Sequence, residues 1–369
     1  MKSIIFVIAL LGLGIYGYSW HFFITLFIIS FLVFFHELGH FLAARSVGVS
    51  VNTFSIGFGQ KLISKHIGNT QYCISAIPLG GYVQLKGQDD TDPSSKNYDP
   101  DSYNSLTPLK RIYILLAGPF FNIFLAFLIY ITLGFLGAHK LAPIVGNVLE
   151  NSAAQSAGIV KNDKILSIND EIIKEWDDIS KRVKLDPVVL QIQRESQTIQ
   201  ITLTPKIGES VNIFGESIQK PLIGISPSGE MIKVYHTGFS AITYAFNETA
   251  RASKLIFQGF EKLITGIVPI KEMGGIVQIT DITSKAAKSD FTVLLIITAL
   301  ISVNLGILNL LPIPALDGGH IIFNTYELIT GKEVSEKVFV YLTYLGWAIL
   351  LTLMLIATFN DIMRLKGDY

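Results

Sequence analysis

One apolar segment of the chain carries the sequence Phe35-His36-Glu37-Leu38-Gly39-His40-Phe41. His36 and His40 are four residues apart, so on a helix they lie on one face, one turn apart. Two imidazoles in this arrangement can share one tetrahedral metal ion, and Glu37 beside them can take a proton from water on that metal. With only 7 His in 369 residues, a chance match to this string is rare. The segment therefore predicts a helix-borne metal site with hydrolytic chemistry.

The composition is that of a polytopic membrane protein. Half of the residues are hydrophobic, only 16% are charged, and the mean hydropathy is +0.48. Net charge is zero and no long basic block occurs, so nothing indicates nucleic-acid binding. The single cysteine, Cys73, excludes an intramolecular disulfide framework and a cysteine-rich zinc site. Nothing in the composition indicates an oligomeric state.

The apolar runs predict a polytopic α-helical fold with four core transmembrane helices, an additional N-terminal run, and an inserted β-rich domain. The N-terminal run follows Lys2 and is read as a retained span or a signal-like segment. Arg45, which ends the run carrying the motif, places that end and the metal site towards the cytoplasm. The predicted regions are 1–19 (N-terminal run), 20–46 (core span with the two His), 47–109 (loop with glycine-rich hairpins), 110–138 (core span), 139–230 (β-rich domain), 231–288 (amphipathic membrane-associated segment), 289–333 (core span with a second polar motif) and 334–369 (last core span and tail).

The loop between the first two core spans contains two glycine-interrupted segments with period-2 character, Val51–Gln60 and Tyr72–Leu85. Both patterns predict strands or hairpins. One interpretation is a pair of surface hairpins. The other is a sheet edge beside the metal, which could receive an extended peptide by strand addition.

A second polar motif follows the apolar run Phe291–Leu311 and reads Asn-Leu-Leu-Pro-Ile-Pro-Ala-Leu-Asp-Gly-Gly-His over residues 309–320. One core span separates this run from the His36 run, so both cross in the same direction and their C-terminal ends share one side of the membrane. Asp317 is therefore the candidate third metal ligand, with His320 as the rival. An alternative is that Asp317 only caps a helix.

Three further segments carry patterns that predict local structure. Residues 143–228 predict a compact soluble β-rich domain. In 231–287 charged residues recur too often for a span, which favours amphipathic helices lying on membrane lipid. Within the second core span, Ala117-Gly118-Pro119 and Asn122 indicate close helix packing or a kink.

Four of these motifs together resemble the site-2 protease family, in its bacterial, PDZ-bearing, RseP-like branch. The motifs are His36-Glu37-Leu38-Gly39-His40, Ser55-Ile56-Gly57-Phe58-Gly59, Ala117-Gly118-Pro119 with Asn122, and Asn309 with Pro312, Pro314 and Leu316-Asp317-Gly318-Gly319. The resemblance implies an intramembrane zinc metalloprotease of the bacterial inner membrane. Its partners would be single-span membrane proteins, often anti-sigma factors, cut after another protease has removed their outer part.

The resemblance also implies roles for individual residues. Zinc (Zn2+) would be held by His36, His40 and Asp317, and Glu37 would be the catalytic base. Substrate would be bound by Asn309 and by the loop residues Gly57, Phe58 and Gly59.

Through the stretch 152–169, the domain at residues 143–228 resembles a PDZ domain, a type that accepts peptide ends by strand addition. Asn162 stands where such domains usually have Gly, and the chain has room for one such domain where some relatives have two. Its predicted place is the extracytoplasmic side, where it would exclude bulky substrates or recruit them. A competing hypothesis is a non-catalytic membrane scaffold that uses this domain to bind partners. That scaffold would need neither Glu37 nor Asp317.

Overall fold

The computed structural model describes residue 12 and residues 21–88 and 97–367. Apart from residue 12, the predicted N-terminal run 1–19 lies outside the described residues. The chain forms two compact units. A helical unit comprises Met1–Tyr130, Ala245–Glu261 and Pro269–Tyr369, and a β-rich unit comprises Ile131–Tyr244 and Lys262–Val268.

The helices and strands follow in chain order, with two short 3-10 helices at Tyr103–Ser105 and Ile270–Glu272 left unnumbered. They are α1 (His21–Ser46), β1 (Val51–Ile67), β2 (Thr70–Leu85), α2 (Pro108–Leu136), β3 (Ala138–Leu141), β4 (Val145–Val148), α3 (Ala153–Ser156), β5 (Lys164–Ile168), β6 (Glu171–Ile172), α4 (Trp176–Arg182), β7 (Val188–Arg194), β8 (Gln197–Leu203), β9 (Lys206–Val211), β10 (Ser217–Leu222), β11 (Ile225–Pro227), β12 (Met231–Val234), α5 (Phe239–Ile264), α6 (Ile276–Ser289), α7 (Phe291–Asn309), α8 (Asp317–Thr330) and α9 (Glu336–Lys366).

Four of these helices, α1, α2, α7 and α9, are long and apolar enough to cross a membrane. Nineteen residues, the length of α7, span about 28 Å at 1.5 Å per residue, close to the thickness of a bilayer core. The prediction of four apolar helices capable of spanning a membrane, with some β-structure, is therefore confirmed. The structure places α5 and α6 in the segment for which the sequence predicts amphipathic helices.

The β1–β2 hairpin lies in the helical unit and folds back on itself. Its register sets residues 53–56 of β1 beside both 71–74 and 81–84 of β2. The remainder of β1, from Lys61 to Ile67, pairs with residues 70–75. Residues 81–85 thus form an outer segment, which pairs on one side only among the described residues. Phe41 of α1 packs with Phe54 and Tyr72 of the hairpin, which holds the sheet against the helix.

The C-terminal end of α9 is hydrogen-bonded to the start of α6. The buried carboxylate of Asp361 accepts hydrogen bonds from the backbone N–H groups of Gly275, Val277 and Gln278, at 3.0 to 3.1 Å. It therefore satisfies N–H groups that α6 cannot pair within itself. A Cβ at Gly275 would lie 2.8 Å from Oδ2 of Asp361 and 3.2 Å from the backbone carbon of Ala357, so the absence of a side chain favours this close approach.

The β-rich unit has a conventional core. A four-stranded sheet in the order β6-β5-β7-β8 carries inward-facing residues at every second position, including Leu190 and Ile192, both fully buried. Asp163, fully buried, accepts from Nε of Arg194 at 2.8 Å. Strands β3 and β12 pair with each other at the two ends of this region.

Candidate metal centre

Helix α1 places the two histidines as the spacing predicts. The rings of His36 and His40 lie with centroids 4.8 Å apart, and their Nε2 atoms are 3.1 Å apart. Both nitrogens therefore point to one position. The helix can approach α2 this closely because Gly39 has no side chain. A Cβ at that position would overlap the backbone oxygen of Ala117. The close helix packing predicted from Ala117-Gly118-Pro119 is thus confirmed.

Asp317 completes a group of three candidate ligands. Its Oδ2 lies 3.3 Å from Nε2 of His36 and 3.5 Å from Nε2 of His40. One ligand atom from each of the three residues lies within 4.8 Å of the others. Two imidazole nitrogens and one carboxylate oxygen at this spacing form a donor set that would suit zinc.

The two glycines after Asp317 explain how it reaches the histidines. Helix α7 ends at Asn309 and α8 begins at Asp317. A side chain at Gly318 would overlap the backbone oxygen of Leu310, and one at Gly319 that of Ile313. Because Gly318 and Gly319 have no side chains, the first turn of α8 can fold back onto the end of α7.

The structure also bears on the two alternatives for this motif. The N-cap of α8 is Leu316, so Asp317 is the first helical residue rather than the cap. The ring of His320 packs against Phe323 and Phe339. Among the described residues, the group with metal-ligand spacing contains Asp317 and not His320.

Charge at the site follows from burial and proximity. Burial of Asp317 disfavours its charged form, but the neighbouring His40 and His36 outweigh that effect and hold the pKa of its carboxyl well below the usual range. Burial lowers the pKa of His320, with partial opposition from Asp317. These effects favour the negative charge of Asp317 and disfavour a positive charge on His320.

A cavity of about 400 Å³ opens beside the candidate ligands. Glu37 and Asn309 line it, together with residues of the outer segment of β2. Nδ2 of Asn309 lies 3.5 Å from Nε2 of His36. The proposed base and the proposed substrate-binding amide are thus brought together with the three ligands.

The three loop residues predicted to bind substrate occupy different positions relative to the cavity. Phe58 lines the cavity, whereas Gly57 and Gly59 are not among its lining residues within the described chain. Both glycines face Ile77. The cavity is instead bordered by Gly80 and by alternate residues of the outer segment, Gly81, Val83 and Leu85. A side chain at Gly81 would contact Cγ of Glu37 at 3.7 Å.

Asn122 is a site residue whose role sequence reasoning missed. The sequence indicates only a part in close packing, but the side chain meets His36, with Nδ2 3.2 Å from Nδ1. His40 has a corresponding neighbour, the backbone oxygen of Ile114, 2.8 Å from its Nδ1. The available signal was Asn122 itself, a polar residue in the middle of an apolar span.

Comparison with known proteins identifies the family of the chain. The profile of Peptidase family M50 matches residues 24–353. A Campylobacter jejuni protein named as a zinc metalloprotease is 56% identical over 368 residues, covering 100% of both chains. A Helicobacter pylori protein of the same description is 38% identical, covering 93% of this chain and 99% of its own. Regulator of sigma-W protease RasP of Bacillus subtilis is 31% identical, covering 92% and 98%.

The chain therefore belongs to Peptidase family M50, the site-2 proteases. It is a zinc-dependent metalloendopeptidase, as the resemblance of its motifs implied. Family membership decides between the two hypotheses raised by the sequence, in favour of the enzyme and against a non-catalytic scaffold.

Proposed function

We propose that this enzyme cleaves peptide bonds within or beside the transmembrane segments of single-span proteins in the bacterial inner membrane. The observation that carries the proposal is the position of Glu37 and the two histidines inside α1, a helix with the length and hydropathy of a membrane span. Polar groups at such a depth are costly and mark function. The site lies nearer the cytoplasmic end, as Arg45 at the end of α1 indicates. Substrates would include anti-sigma factors and signal-peptide remnants, and the name of the Bacillus relative supports the former.

His36, His40 and Asp317 would hold the zinc ion. Bound there, zinc would lower the pKa of a water molecule towards neutrality and would polarise a peptide carbonyl. Glu37 takes the proton from the attacking water and passes it to the departing amine. The side-chain amide of Asn309 donates a hydrogen bond to the substrate carbonyl as negative charge develops on it.

A helical substrate must unwind before it can be cut, because its carbonyls are engaged in hydrogen bonds. The outer segment of β2 supplies a means of holding the unwound strand. It pairs on one side only among the described residues, and it borders the cavity next to Glu37. Strand addition to this edge would pair the backbone of the substrate and present an extended peptide bond to the site.

The direct test uses the purified full-length protein in detergent with a single-span substrate. Cleavage should stop on addition of a zinc chelator and return when zinc is restored. Glu37→Gln should retain zinc, because it removes no ligand, yet reduce cleavage by about 10²- to 10⁴-fold through loss of the base. Substantial cleavage by Glu37→Gln would show that another group is the base. Cleavage of soluble peptides but of no membrane substrate would contradict the intramembrane assignment.

The β-rich unit would act as a PDZ-like domain that restricts which substrates are admitted. Its small sheet and short helices, α3 and α4, are consistent with that class. Because β3 and β12 pair, removal of residues 143–228 with a short Gly-Ser connection leaves that pair in place. The deletion should increase cleavage of a substrate with an untrimmed outer domain and change little for a trimmed one. Loss of trimmed-substrate cleavage by a folded deletion variant would show recruitment instead.

A further inference from the structure

The side chain of Asn122 is fully buried, and one of its two polar atoms has no partner. Its Nδ2 lies 3.2 Å from Nδ1 of His36, whereas its Oδ1 is buried without a hydrogen bond. The residue is held in place through its backbone, since Oγ of Ser302 donates to the backbone oxygen of Asn122 at 2.7 Å. An orphaned buried amide oxygen is costly and calls for an explanation.

The chemistry of a metal-bound histidine indicates which end of this amide should face His36. When Nε2 of a histidine binds a metal, its other ring nitrogen, Nδ1, carries a proton and donates it to an acceptor. Nδ1 of His40 faces such an acceptor, the backbone oxygen of Ile114 at 2.8 Å. Nδ1 of His36 faces the amide of Asn122. An amide nitrogen cannot accept a hydrogen bond, but the oxygen at the other end of the same group can.

Without a metal, the hydrogen bond between His36 and Asn122 runs in the opposite direction. With its proton on Nε2, His36 can donate to Oδ2 of Asp317, 3.3 Å away. Its Nδ1 then accepts from Nδ2 of Asn122. A half-turn of the amide about χ2 exchanges nitrogen for oxygen while leaving the backbone in place. Asn122 can therefore serve both protonation patterns of His36, which a fixed backbone carbonyl cannot do.

We propose that Asn122 is a positioning residue for the metal centre: its Oδ1 accepts the Nδ1 proton of His36 when Nε2 of His36 binds zinc. The inference rests on the ligand set of the proposed function. It gives Asn122 a task beyond packing, because it fixes the tautomer and the ring orientation of one ligand.

The test compares zinc affinity, measured by chelator competition, across two variants of similar side-chain size in the full-length protein. Asn122→Leu has no acceptor and should weaken zinc binding by about 10- to 100-fold. Asn122→Asp keeps an acceptor in the same place and should retain affinity within a few-fold. If Asn122→Asp is weakened as much as Asn122→Leu, or if Asn122→Leu binds as the wild type does, the proposal is overturned.

Two controls separate positioning from packing and from an incorrect ligand set. Ser302→Ala removes the hydroxyl that donates to the backbone of Asn122 but leaves the amide itself, so it should weaken zinc binding much less than Asn122→Leu does. A loss equal to that of Asn122→Leu would reduce the role of Asn122 to packing. His36→Ala should abolish tight binding; retention of zinc there would refute the proposed ligand set, which is a different failure.

A measurement on the wild-type protein keeps the inference testable if Asn122→Leu does not fold. Cobalt-substituted protein should show two strongly shifted, exchangeable ring protons, one from Nδ1–H of His36 and one from that of His40. Both should exchange slowly with water because each is hydrogen-bonded and buried. Absence of a protected proton on His36 would contradict the proposal.

Discussion

The helical unit and the β-rich unit bury different kinds of residue. The core of the β-rich unit is a continuous cluster of aliphatic side chains around Leu190 and Ile192. The helical unit buries many polar groups, such as Thr283, Ser302 and Asn122, while α9 exposes large apolar side chains, including Leu355. Water drives the first arrangement, because burial removes apolar surface from it. Lipid provides no such driving force, so helices in a bilayer associate through close packing and hydrogen bonds.

The most severe way to break the helical unit's polar organisation is to remove a candidate metal ligand. Asp317→Ala deletes the oxygen shared by the two imidazoles and should reduce bound zinc to near zero and abolish cleavage. His320→Ala should retain most of the zinc, because that ring lies among Phe323 and Phe339. Elemental analysis of the two purified variants decides the matter. The opposite result would make His320 the third ligand.

The difference between the two units can be tested with one Leu→Ala substitution in each unit. Leu190→Ala, at a fully buried site, should destabilise the β-rich unit by about 2–5 kcal/mol, since it leaves a cavity. Leu355→Ala, at a side chain 66% exposed, should change stability by less than about 0.5 kcal/mol. Denaturant titration of the full-length protein in detergent, followed by hydrogen exchange in each unit, measures both. Equal losses would contradict the distinction.

A smaller effect is expected where the helical unit relies on a single polar cap. Asp361→Ala leaves three backbone N–H groups near the start of α6 without their acceptor. It should cost about 1–2 kcal/mol and speed hydrogen exchange at Gly275, Val277 and Gln278. Asp361→Asn, which keeps one acceptor oxygen, should lose less. Unchanged exchange in Asp361→Ala would mean that other groups satisfy these amides.

Much of the candidate site followed from the sequence because helical periodicity is local. The spacing of His36 and His40 predicts a shared face without any tertiary information. The prediction for Asp317 needed only the number of spans between the two motifs, and the structure places it beside both rings. Span prediction succeeds for the same reason, since length and hydropathy are local properties.

What the sequence did not reveal depends on register and helix rotation. Period-2 patterns predict strands, but they do not determine which segment is outermost. The resemblance implies substrate contacts at Gly57 and Gly59, whereas the structure places Gly80 and Gly81 at the cavity. Asn122 resembles a packing residue in the sequence because its face on α2 is fixed only by contact with α1 and α7. The partnership of Asp361 with Gly275 joins elements far apart in the chain, beyond any local pattern.

The distribution of the candidate ligands along the chain has a consequence for biosynthesis. His36, Glu37 and His40 are translated early, whereas Asp317 stands at position 317 of 369. Helix α1 and the whole β-rich unit therefore leave the ribosome before the third ligand exists. A nascent or prematurely terminated chain carries the proposed base and two of the proposed ligands without the third. Such a chain should neither bind zinc tightly nor cleave substrate until Asp317 has been added.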